Sequence, residues 1–137
     1  MPEPLIIPPE LAGIMRAHVR RCNPEEACGI LAGNGNLVKH VLPVTNELRS
    51  PVKFRMAPEE QLQAFLWLEQ NDLEMVAYYH SHPAGPDHLS ETDLLQFFYP
   101  GVIAVLVFPK NSTWQIKGFI IEENSIEEIT ITPWRAK

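Results

Sequence analysis

The chain has 137 residues, 45% of them hydrophobic and 20% charged, the size and composition of one globular domain with a core of its own. Eleven Lys and Arg against 17 Asp and Glu give a formal net charge of −6, which repels phosphate backbones and argues against nucleic acid as a partner. No apolar stretch approaches the roughly 20 residues of a membrane-spanning helix, and two cysteines, Cys22 and Cys28, are too few for a disulfide scaffold.

Residues 5–7 (Leu-Ile-Ile) read as a short strand. Pro8-Pro9 then opens a helix in which Leu11, Ile14, Met15, His18, Val19 and Cys22 recur at three- and four-residue steps, and Asn23-Pro24 stops it. Segments 27–32 and 37–44 flank Asn34-Gly35, a hairpin signal in which both residues are expected to take positive φ. A polar loop follows over 45–51, and the alternation in 52–56 predicts a strand. Pro58 starts a helix expected to run to about Asn71, with Leu62, Phe65, Leu66 and Glu69 at helical spacing.

Residues 75–82 are apolar and aromatic, then abruptly polar, as in a buried strand whose end emerges. A Pro- and Gly-containing loop over 83–89 leads to Ser90-Glu91-Thr92-Asp93, a helix N-terminus placed before Leu94, Leu95, Phe97 and Phe98. Strands are predicted over 102–108, 113–121 and 126–132, with polar turns between them. The order predicts an α/β fold: one domain spanning 1–137, with a mixed, largely antiparallel sheet flanked by helices.

The densest chemistry is His80-Ser81-His82, followed by Ser90 and Asp93. Residues two apart on a strand share a face, so both imidazoles project together where a buried strand opens into a loop. Two imidazoles and one carboxylate match a catalytic zinc site, which leaves a fourth position for a water whose pKa the metal lowers. Glu26, at the entry of the 27–32 strand beside the small residues Ala27, Cys28 and Gly29, is the candidate proton acceptor. Alternation turns its neighbour Glu25 the other way. Ser90 and Asp93 have a competing role as a helix cap, and a solvated Glu26 would be ordinary. Cys28 is expected to be a small core residue, His88 a surface loop residue, and His18 and His40 carry no functional assignment. Other zinc schemes fit worse: no His-Glu-x-x-His helix and no Pro-Cys-x-x-Cys segment is present.

This pattern resembles the JAMM (MPN+) metallopeptidases, whose signature is a distant Glu, then His-x-His, seven residues, Ser, two residues and Asp. Here Glu26, His80-Ser81-His82, residues 83–89, Ser90, Glu91-Thr92 and Asp93 fill it without departure. Residues 24–31 also look like the family's Glu-bearing strand. The resemblance implies a JAMM/MPN, cytidine-deaminase-like fold and zinc (Zn2+) held by His80, His82 and Asp93. It implies Glu26 as general acid/base and Ser90 as hydrogen-bond donor to the oxygen that becomes negative. The implied activity is hydrolysis of a peptide or isopeptide bond, after the Gly-Gly terminus of a ubiquitin-like or sulfur-carrier protein. Such a tail is expected to lie extended along a sheet edge beside the metal. The alternative is an MPN-type scaffold that binds a partner without turnover. A cytoplasmic location is expected, because Met1-Pro2-Glu3-Pro4 lacks the basic and apolar regions of a signal peptide.

Overall fold

Prolines set both long helices in the computed structural model, which describes residues 3–95, 101–122 and 125–134. Pro9 begins α1 (Pro9–Cys22) and Pro58 begins α2 (Pro58–Gln70), each in the first turn, where the missing N–H costs nothing and the fixed φ suits a helix. A short third helix, α3, covers Glu91–Leu95. Phe97 and Phe98 lie outside the described residues.

The strands are β1 (Leu5–Ile6), β2 (Cys28–Asn34), β3 (Leu37–Val44), β4 (Glu74–Ser81), β5 (Ile103–Lys110), β6 (Thr113–Glu122), β7 (Ser125–Ile129) and β8 (Ile131–Thr132). They form one sheet in the order β7-β6-β5-β4-β2-β3-β1-β8. Neighbours are antiparallel except at β4–β5, β3–β1 and β1–β8, so the mixed, largely antiparallel α/β architecture stands. The expected strand over 126–132 is two strands. Only Thr130 separates β7 from β8, yet they occupy opposite ends of the sheet order, so the sheet rolls until its ends meet. At that seam Ile129 and Ile131 both pack where a side chain on Gly118 would sit.

Alternation divides the sheet between two cores. Leu31, Ala77, Tyr79, Val105 and Val107 face inward with Ala12, Met15 and Val19 of α1. Cys28, Ile30, Tyr78, Ala104 and Leu106 face outward against Leu68 of α2.

Four sequence expectations shift. The hairpin turn is Gly35-Asn36, with positive φ at Gly35 alone, the pattern of a type II′ turn; the register slip between Ala32 and Gly33 moves it one residue along. Residues 52–56 form no strand, and only an Asn46–Met56 bridge remains, because this segment folds as a loop around the Asn46 side chain. Ile14 is half-exposed, because α1 buries the stripe through Ala12, Met15, His18 and Val19. On α2 the buried face runs through Ala64, Phe65, Trp67 and Leu68 and leaves Leu62 and Leu66 exposed. Trp67 meets His40 of β3 edge to face, ring centres 5.1 Å apart, which fixes that rotation.

Candidate metal centre

Strand register assembles the site. Cys28 of β2 lies directly opposite His80 of β4. The pairing runs on past the ladder: Ser81 N–H donates to the Ala27 carbonyl (3.0 Å), and Ala27 N–H donates to Ser81 Oγ (2.8 Å). Glu26 is thereby carried level with His82, on the same outward face as Cys28 and Ile30. Two further bonds hold its backbone: Glu26 N–H donates to Ser50 O (2.8 Å), and Asn46 Nδ2 donates to Glu26 O (3.0 Å). Asp93 arrives from α3 through a reciprocal cap. Its N–H donates to Ser90 Oγ (3.0 Å), and Ser90 N–H donates to Asp93 Oδ2 (2.8 Å).

One ligand atom each from Glu26, His80, His82 and Asp93 falls within 4.8 Å of all the others, and all four residues are buried. His80 Nε2 and His82 Nε2 are 3.3 Å apart, and they lie 3.2 and 3.0 Å from Asp93 Oδ2. Three ligands at the 2.0–2.1 Å bond lengths of zinc, at tetrahedral angles, stand about 3.3 Å apart. The spacing therefore fits a small divalent cation.

Hydrogen bonding agrees. His82 Nδ1 donates to the Pro86 carbonyl (3.0 Å), which leaves the Nε2 lone pair pointing into the cluster, as a metal ligand requires. His80 has no such tether among the described residues: Nδ1 is buried without a hydrogen-bond partner there, and Phe54 stacks on the ring at 4.6 Å instead. Glu26 Oε1 is also buried without a hydrogen-bond partner among the described residues.

The charges follow from these contacts. Burial pushes the Glu26 carboxyl up to about 8, with His82 opposing and Asp93 adding to the rise. Burial disfavours the Asp93 carboxylate too, but the bonds to His80 and His82, the His80 charge and the Ser90 N–H outweigh it and hold that carboxyl well below its ordinary range. His80 is pushed down by burial, against the pull of Asp93. Burial acts the same way on His82, but Asp93, the Pro86 carbonyl and Glu26 raise it on balance.

Every sequence-derived site residue thus lies in one cluster. Ser90 sits at its edge as the cap of α3, with its own hydroxyl proton uncommitted by that bond. Cys28 is buried, its thiol donating to Val44 O (3.5 Å), and His88 is exposed beside Asp87. His18 is buried with Nδ1 2.7 Å from the Tyr79 hydroxyl. Sequence reasoning missed Ser81, Asn46, Phe54 and the Pro86 carbonyl as supports. Only Asn46 carried a signal, since Asn in a polar loop readily bonds nearby backbone.

A family model described as prokaryotic homologs of the JAB domain matches residues 8–117. The chain is 34% identical over 127 residues to the CysO-cysteine peptidase of Mycobacterium tuberculosis, covering 90% of this chain and 87% of that one. It is 41% identical over 107 residues to the desampylase of Pyrococcus furiosus, covering 77% and 74%. Among solved structures it resembles protein DSY2949 of Desulfitobacterium hafniense, with a TM-score of 0.84 and 32% identity over 93% of this chain and 90% of that one.

Proposed function

This chain belongs to the family of prokaryotic homologues of the JAB domain, and from that premise we propose that it hydrolyses the bond joining the Gly-Gly end of a ubiquitin-like or sulfur-carrier protein to an amine. The named relatives support this reading: one is a CysO-cysteine peptidase, another a desampylase. Residues 1–137 act as one catalytic domain. Two free thiols, Cys22 and Cys28, suit a reducing, cytoplasmic setting. No helix among the described residues is long and apolar enough to cross a membrane.

His80, His82 and Asp93 would hold zinc; the 3.0–3.3 Å triangle of their ligand atoms carries that reading. Bound there, zinc supplies a Lewis acid for the scissile carbonyl and lowers the pKa of a water. Glu26, within 4.8 Å of the ligand atoms, takes a proton from that water and delivers it to the leaving nitrogen as the C–N bond breaks. Its Oε1, buried and without a hydrogen-bond partner among the described residues, suits a group that must both hold and release a proton. Ser90 keeps its Oγ lone pair on the Asp93 N–H and gives its hydroxyl proton to the oxygen that becomes negative. The Ser90 N–H meanwhile fixes the Asp93 oxygen that faces both histidines.

The test is metal analysis of the purified protein, together with turnover of a Gly-Gly-linked carrier adduct by wild type and Glu26→Gln. One zinc per chain in both is expected, with a fall in kcat of about 10²-fold or more in the variant. Absence of stoichiometric zinc, or equal cleavage by both proteins, would sink the reading.

A further inference from the structure

Lys117 of β6 stands in the same cross-strand row as a candidate metal ligand. Cys28, His80, Leu106 and Lys117 oppose one another across β2, β4, β5 and β6, so all four side chains rise from the outward face. The Lys117 ammonium passes over the Phe108 ring, 5.6 Å from its centre, and meets Asp87 Oδ2 at 3.0 Å. Glu128 Oε1, on β7, lies farther off at 3.9 Å. We propose that Lys117 is a positioning residue for His82: through its ion pair with Asp87 it holds the peptide plane that carries the Pro86 carbonyl, and with it the ring whose Nδ1 that carbonyl binds. This rests on the metal-dependent hydrolase reading above.

The path from ammonium to ring is short. Pro86 and Asp87 share one peptide plane, kept flat by resonance, and the Pro86 oxygen lies in it. That oxygen accepts from His82 Nδ1 (3.0 Å), which fixes the tautomer and turns Nε2 toward His80 and Asp93. On the near side of Pro86 the backbone sets the turn: Gly85 N–H donates to His82 O (2.9 Å), and Gly85 takes a φ of 77° that a residue with a side chain rarely adopts. On the far side the side chain of Leu89 is buried. Asp87 stands between these two anchors, and its carboxylate ties the loop to a strand 30 residues further along the chain. His88 Nδ1 lies 3.5 Å from Asp87 Oδ1, but it belongs to the same exposed loop and gives no hold on the sheet. An exposed ion pair contributes little to folding as a whole. Its leverage is local here, because the ring that it steadies is one of three ligands.

The experiment measures zinc affinity by chelator competition for wild type, Lys117→Met, Asp87→Asn, the double variant and Lys117→Arg. The absorption bands of the cobalt-loaded proteins are recorded alongside. Lys117→Met keeps a stem to cover Phe108 and removes only the charge. Each single variant is expected to bind zinc about two- to fivefold more weakly, the range of an exposed ion pair. The double variant should match the singles, and Lys117→Arg should stay near wild type. Salt at about 1 M should bring wild type toward the variants, because screening then acts within about 3 Å. The cobalt bands of Lys117→Met should depart from those of wild type, and the bands of Lys117→Arg should not. Unchanged zinc affinity in Lys117→Met, effects that add in the double variant, or cobalt bands that coincide for Lys117→Met and wild type each overturn the positioning role and leave the hydrolase reading in place. Zinc binding by wild type without cleavage of any Gly-Gly-linked adduct overturns the hydrolase reading alone. A wild-type chain that binds no zinc overturns both.

Discussion

Glu26 shows how one buried carboxyl links stability to pH. Without a cation, burial raises it from 4.5 to about 8, so between those values the folded protein holds a proton that the unfolded chain has lost. Stability therefore falls as pH rises through that window, by at most about 1.4 kcal/mol per pH unit, and the loss is complete above about pH 8. In chelator-treated protein, denaturation at pH 5 and pH 9 should show Glu26→Gln gaining on wild type at the higher pH; a constant difference would contradict the assigned burial. Cys28 gives a second residue-scale prediction. Burial pushes its thiol up to about 12, so it should resist iodoacetamide at pH 8 in the native state and react only after unfolding, as followed by mass spectrometry. His80, His82, Ser90 and Asp93 were legible because their spacing acts through strand alternation and helix capping, both local rules, whereas Glu26, 54 residues before His80, was singled out by the small residues that follow it and by the resemblance to the JAMM signature. Ser81, Asn46 and Phe54 were not, because their partners Ala27, Glu26 and His80 lie 54, 20 and 26 residues away.

At the scale of elements, the site depends on how closely β2 and β4 approach. A side chain on Gly29 would come within 2.3–2.5 Å of the Tyr79 ring and hydroxyl. Tyr79 is buried beside His80 and anchored by His18. Gly29→Ala should therefore destabilise by about 1–3 kcal/mol or more and also weaken zinc retention, read by thermal melts and metal titration. The loop between β3 and α2 is tied by one side chain: Asn46 donates to Glu26 O and Lys53 O and accepts from Leu48 and Arg55 N–H. Asn46→Ala should cost about 1–3 kcal/mol, because it strands buried backbone groups. It should also lower kcat, as Glu26 and the Phe54 that covers His80 lose a shared anchor. Intact kcat in a destabilised protein would make the anchor purely structural. The long helices and the hairpin strands were readable from proline placement and periodicity. Residues 52–56 alternate like a strand, yet their backbone pairs only briefly, with residues 45–47 through the Asn46–Met56 bridge, and the Asn46 side chain takes the neighbouring Lys53 O and Arg55 N–H.

The molecule as a whole closes through its C-terminal strands. Leu5 N–H donates to Thr130 O and Ile7 N–H to Thr132 O, each at 2.9 Å, and β8 covers β1 at the seam of the rolled sheet. Truncation after Ile129 should unseat Leu5 and Ile7 from the inner core and lower Tm by about 10 °C or more. A melt close to that of the full chain would mean that the seam contributes little. The sequence by itself determined the long helices, most of the strands, the ligand types and their order, because each depends on residues within one or two turns of helix or one strand pair. The tertiary structure alone decided that 126–132 splits across the seam and that α2 turns its Trp67 face toward the sheet. Those outcomes depend on which distant surfaces compete for burial, and that competition is settled only when the sheet has rolled and both cores have packed.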